Sequence, residues 1–86
     1  MAARTFTAEV RKPDDGPGHA IEIPFDVREQ FGVARPRVLV ALDDHPPFPT
    51  TIAAYSGRGW IGLRTAQLAE FGLRAGDTVR VRVDPA

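Results

Sequence analysis

The chain repeats itself. Ile21-Glu22-Ile23 leads through Pro24 into a stretch of helical spacing that ends on Phe31-Gly32, and Ile61-Gly62-Leu63 leads into another that ends on Phe71-Gly72. The roles recur at a displacement of 40, so Ile21 corresponds to Ile61, Ile23 to Leu63, Phe31 to Phe71 and Gly32 to Gly72. One extra residue in the second turn makes the displacement 41 beyond it, where Val38 corresponds to Val79 and Val40 to Val81. Neither copy alone carries enough apolar surface for a core, so the two must close on each other. The repeat predicts a mainly β chain of about six strands and two short helices. Its halves, residues 6–43 and 48–84, form one pseudo-two-fold β-barrel domain over 1–86.

Local signals agree. Phe6 to Val10 alternates apolar and polar residues, the period of a half-buried strand. Lys12 to Gly18 is a cluster of breakers and reads as a loop. Ala20 to Ile23 alternates again, and Pro24 ends that ladder because it has no N–H to donate. Asp26 opens the first helix with Glu29 three residues on, a capping-box pattern. Gly32 closes it, since glycine takes the left-handed conformation at no steric cost. Arg37 to Leu42 is a strand, Asp43 to Pro49 a turn with three prolines, and Thr50 to Tyr55 the next strand. Ser56 to Gly59 is a tight turn and Trp60 to Leu63 pairs back. Thr65 caps a second helix that Gly72 stops, and Thr78 to Val83 is the cleanest alternation in the chain.

Composition narrows the function. The 86 residues include 11 acidic and 11 basic side chains, ten of the latter arginine. A formal net charge of zero is not the footprint of a strong nucleic-acid binder. The chain has no cysteine, which excludes disulfides, thiolate metal sites and thiol catalysis. No apolar run approaches the roughly 20 residues of a membrane helix, and the first residues lack the apolar stretch of a signal peptide. A cytoplasmic protein with no membrane partner is the simplest reading.

The run Ile21-Glu22-Ile23-Pro24-Phe25-Asp26-Val27-Arg28-Glu29-Gln30-Phe31-Gly32, the Gly57-Arg58-Gly59 turn, and the ending Phe71-Gly72-Leu73-Arg74-Ala75-Gly76-Asp77-Thr78-Val79 resemble a bacterial family of unassigned function. It is the domain of unknown function numbered nineteen-oh-five, and the resemblance runs from about Phe6 to Val83. It implies a closed double-split β-barrel, the architecture shared with AbrB- and MazE-like proteins, which bind DNA as intertwined dimers. Here both halves lie in one polypeptide. The resemblance brings no activity, cofactor or catalytic residue. The chain departs from the pattern near Asp43 to Phe48, where Asp-Asp-His-Pro-Pro replaces a glycine turn.

Few residues suggest chemistry. Gly57-Arg58-Gly59-Trp60-Ile61-Gly62 fits G-x-G-x-x-G by letter, but that fingerprint needs a helix opening directly from the turn. Here the third glycine falls in a strand, and a hairpin is the better reading. Asp43, Asp44, His45 and His19 have no fixed ligand spacing, so a solvated turn is preferred to a metal site. Ser56 is the sole serine and lacks a nucleophile-elbow context. No catalytic residue, metal ligand or cofactor is assigned.

Two surfaces remain. Tyr55, Arg58, Trp60, Arg64, Arg80 and Arg82 combine arginines with aromatics, the makings of a ligand or nucleic-acid surface. Interspersed charge is also the ordinary state of a solvated face, and nucleic acid is not favoured. The strand Val38 to Leu42 carries Leu39 and Ala41 where its counterpart carries Arg80 and Arg82. A strand apolar on both faces is usually covered on both, so Leu39 and Ala41 mark a subunit contact in a monomer-or-homodimer choice. Three functions stay open: a binding or interaction module for an unknown ligand or protein partner, an AbrB- or MazE-like DNA-binding regulator or antitoxin-like protein, and an enzyme without a recognisable motif.

Overall fold

A computed structural model describes residues 3–12, 18–55 and 57–86. The chain order is β1 (Arg4–Glu9), β2 (His19–Ile23), α1 (Val27–Phe31), β3 (Arg37–Leu42), β4 (Phe48–Thr51), β5 (Ala53–Tyr55), β6 (Arg58–Leu63), α2 (Thr65–Phe71) and β7 (Thr78–Pro85). Most of the breaker loop after Lys12, and Ser56 of the expected turn, lie outside the described residues. The strands form two antiparallel sheets, β1-β7-β3-β4 and β2-β6-β5. No helix of the described residues is long and apolar enough to cross a membrane.

There are seven strands where the sequence suggests about six. The expected strand Thr50 to Tyr55 starts earlier, at Phe48, and divides at Ile52. Ile52 is fully buried, and its N–H leaves the ladder to donate to the Pro36 carbonyl at 3.0 Å. The chain thereby passes from pairing with β3 to pairing with β6. The first strand crosses in the same way. Val10 is fully buried and donates to the Asp77 carbonyl at 2.8 Å, after which Arg11 pairs with Ala20 of β2.

The period-2 alternation of the strands sends one face of each sheet inward. Val38, Val40 and Leu42 meet Val79, Val81 and Val83 from the larger sheet, and Ile21, Ile23, Ile61 and Leu63 meet them from the smaller. Val10 and Ile52 complete the core at the crossing points, and Val27 and Leu68 enter it from the helices. Each aliphatic side chain taken fully from water contributes about 1.5–3 kcal/mol. Ile21 lies directly opposite Ile61, and Val40 opposite Val83.

The helices are short because their caps are close together. Asp26 Oδ1 accepts the Glu29 N–H at 3.0 Å and starts α1; Gly32, at φ 84°, ends it. The second cap differs from the sequence reading. Arg64, not Thr65, is the N-cap of α2, and its N–H donates to Gln67 Oε1 at 2.9 Å. The Gln67 side chain reaching back does the work a threonine hydroxyl would do. Aromatic groups brace both helices: Phe25 lies between Phe6 and Phe31, and Phe71 between Phe48 and His45.

The outer face of the larger sheet carries Arg80, Arg82 and Asp84 from β7 beside Arg37, Leu39 and Ala41 from β3. Leu39 pairs across from Asp84, and Ala41 across from Arg82. Leu39 is 37% exposed and Ala41 half-buried. The apolar and arginine-bearing exit strands are thus neighbours on one face.

A candidate binding face on the smaller sheet

β6 builds the site. Its inward residues are Gly59, Ile61 and Leu63; Arg58, Trp60 and Gly62 therefore face outward. Arg64 is extended (φ −82°, ψ 154°) and exposed, so it continues the outward series. Across the strands, Tyr55 lies opposite Arg58, and Trp60 lies between Ala53 and Glu22. Ala20 lies opposite Gly62, and Arg11 opposite Ala20. Tyr55 is 71% exposed and Trp60 half-buried. Four of the six residues singled out from the sequence, Tyr55, Arg58, Trp60 and Arg64, thus share one face.

Arg80 and Arg82 are not part of it. They lie on the outer face of the other sheet, each beside a carboxylate. Arg80 Nη2 is 3.1 Å from Asp44 Oδ1, and Arg82 Nε is 3.0 Å from Asp84 Oδ2. Asp43 Oδ1 also accepts the Arg80 backbone N–H at 2.9 Å. His45 packs on Phe71, with ring centroids 4.7 Å apart. The Asp43-Asp44-His45 turn is thus tied to β7 and α2. Among the described residues no group of three or more His, Asp or Glu side chains is placed to hold a metal ion.

On the smaller sheet one carboxylate serves two arginines. Glu22 lies 2.7 Å from Arg58 Nη1 and 3.7 Å from Arg11 Nη1. Exposed pairs of this kind contribute little stability; here they fix where the guanidiniums stand. Arg11, Arg58 and Arg64 against Glu22 leave the face a cationic excess. The zero net charge of the chain hides this, because the compensating carboxylates Asp44 and Asp84 lie on the other sheet.

A cleft of about 610 Å³ opens beside Arg58, between the end of β2, the Gly57 turn and α1. Phe25, Arg28, Ala54 and the Glu22–Arg58 pair line it. The Arg4 guanidinium lies 5.0 Å from the centre of the Phe25 ring. A second depression, of about 480 Å³, flanks the other end of β6 at His19, Gly62 and Arg64. The hairpin reading of the glycine run fits the geometry: Gly57 takes φ 74°, and Gly59 and Gly62 lie within β6. Sequence reasoning passed over Glu22, Arg11, Ala20 and Gly62. The alternation of β2 already put Glu22 on the side opposite Ile21 and Ile23, but only the β2–β6 register brings it to Arg58.

The fold and its exposed face define a two-sheet, mainly β module that presents arginines and aromatics on its smaller sheet. Residues 6–83 match the family model described as Domain of unknown function (DUF1905), and the chain belongs to that family. No curated protein matches the chain.

Proposed function

We propose that this chain is a small binding module that takes its ligand on the outer face of the β2-β6-β5 sheet and in the adjoining cleft. The observation that carries the reading is the convergence of Tyr55, Arg58, Trp60 and Arg64 on one face, with a local excess of positive charge. Native mass spectrometry of the purified chain reads any retained ligand. Amide chemical-shift mapping with that ligand, or with a fragment library, then locates it. Shifts grouped at Tyr55, Arg58, Trp60, Gly62 and Arg64 support the reading; shifts confined to β7 and β3 overturn it.

We read the two sheets as a double-split β-barrel made from a duplicated unit, residues 6–43 and 48–84. Three relations support this. A displacement of 40 carries the Ile21–Ile61 pair onto itself. One of 41 carries Val40–Val83 onto Val81–Leu42. One of 42 carries Val10, bonded to Asp77, onto Ile52, bonded to Pro36, when Asp77 is moved back by 41. An experimental structure whose halves failed to superpose would remove the idea. This architecture is also what favours the alternative function, an AbrB- or MazE-like DNA-binding regulator. A salt-sensitive gel shift on duplex DNA supports that alternative, and no shift at low salt sinks it. Leu39 and Ala41 remain our assignment for a homodimer contact, which light scattering tests. Lack of cysteine suits the reducing cytoplasm, where we place the protein; imaging of a tagged chain checks this.

A further inference from the structure

We infer that the outer face of the β2-β6-β5 sheet binds single-stranded nucleic acid, with Gly62 as the floor on which a base lies beside the Trp60 indole. This rests on the binding-face reading above and names its ligand.

Gly62 has no task within the fold. Its φ is outside the left-handed region, and a Cβ built on it would meet nothing within 4 Å. The register runs without a bulge from Ile21–Ile61 through Ala20–Gly62 to His19–Leu63. Gly59, the other glycine of β6, differs: a Cβ there would lie 2.5 Å from Val27 Cγ2. A strand glycine that neither turns the chain nor makes room for a neighbour marks the approach of something external.

The surroundings of Gly62 say what approaches. Ala20 lies across from it, so two small residues form a flat floor. Trp60 bounds that floor along the strand on one side and Arg64 on the other. Tyr55 stands diagonally from Trp60, at the roughly 7–8 Å typical of such neighbours, and offers a second ring. Aromatic rings on a sheet stack on the faces of unpaired bases, which a duplex hides. The cations set the length of the ligand. Arg58 and Arg64 are six residues apart on extended chain, about 20 Å. That distance exceeds a mononucleotide and suits a strand laid along β6, with phosphates near both arginines and a base between them. Arg11, held at the rim by Glu22, adds a third cation.

Trp60 is the sole tryptophan of the chain, so its emission reports on this face. The full chain is titrated with oligothymidylate of about ten nucleotides, with a duplex of equal length, and with thymidine monophosphate. Saturable quenching by the oligonucleotide is expected, with the duplex and the monophosphate at least about tenfold weaker. Two to three phosphate contacts should weaken binding about tenfold between roughly 50 and 200 mM salt. Gly62→Val should keep the melting temperature of the parent and lose at least about tenfold in affinity. Arg64→Gln, at an exposed position, should lower the salt dependence. No quenching by the oligonucleotide at low salt overturns the inference. So does parental binding by folded Gly62→Val, or an unchanged salt dependence in Arg64→Gln. Equal binding of the monophosphate overturns the single-strand assignment and leaves the binding face standing. That broader reading falls only if ligand-induced shifts map away from this sheet.

Discussion

Gly59 and Val27 interlock: a Cβ on Gly59 would stand 2.5 Å from Val27 Cγ2, closer than side chains tolerate. The missing side chain lets α1 settle on β6 and sets one wall of the cleft. Gly59→Ala should therefore destabilise the fold by about 1–3 kcal/mol, as overpacking does. Combined with Val27→Ala, the loss should be smaller than the sum of the single losses, because the clash is shared. Urea unfolding of the three variants measures both.

Two glycines with opposite roles make a matched pair. Gly72 ends α2 at φ 68°, with the Leu73 N–H donating to the Leu68 carbonyl at 2.9 Å. Gly72→Ala should cost about 1 kcal/mol, since Cβ crowds the carbonyl in the left-handed region. Gly62→Ala should cost nothing or add roughly 0.5–1 kcal/mol, because alanine is the better strand residue. Thermal melts of the two variants should move apart.

Asp26 holds the start of α1 through the Glu29 N–H. Asp26→Ala should lose about 1 kcal/mol, while Asp26→Asn should retain most of the stability, because the amide oxygen also accepts. Chemical denaturation separates the two.

The split of the arginines between sheets gives a test by contrast. Arg58→Gln and Arg64→Gln should each weaken oligonucleotide binding about three- to fivefold. Arg80→Gln and Arg82→Gln should leave it within about twofold, since they lie on the other sheet beside Asp44 and Asp84. Fluorescence titration at fixed salt reads all four.

Glu22→Gln removes the one carboxylate that faces Arg58 and Arg11. The stability change should stay under about 1 kcal/mol, as for exposed pairs. Binding should tighten about twofold as the face gains positive charge. The same titration and a melt check both halves.

The sequence reading placed what depends on neighbours along the chain. Arg37 to Leu42 as a strand, Asp26 as the first cap, and Gly32 and Gly72 as stops follow from rules spanning a few residues. What escaped needed partners far away. Ile52 divides its strand because Pro36 offers it a carbonyl, and Arg64 displaced Thr65 as cap because Gln67 reached back. Strand alternation says which residues share a face but not which sheet they join. Arg80 and Trp60 could therefore be grouped on paper and be separated in space, and Leu39 could be set apart from Arg82 when the two share a face.

The order β1-β7-β3-β4 has a consequence during synthesis. The strand translated last lies inside the larger sheet, between the first and the third. Until Val79 to Val83 leave the ribosome, β1 lacks its partner and β3 has only β4. Nearly every pairing that closes the core joins distant parts of the chain, which slows folding. The nascent chain should therefore gain protease resistance in a single late step, after β7 emerges, and not in two stages as each half is completed.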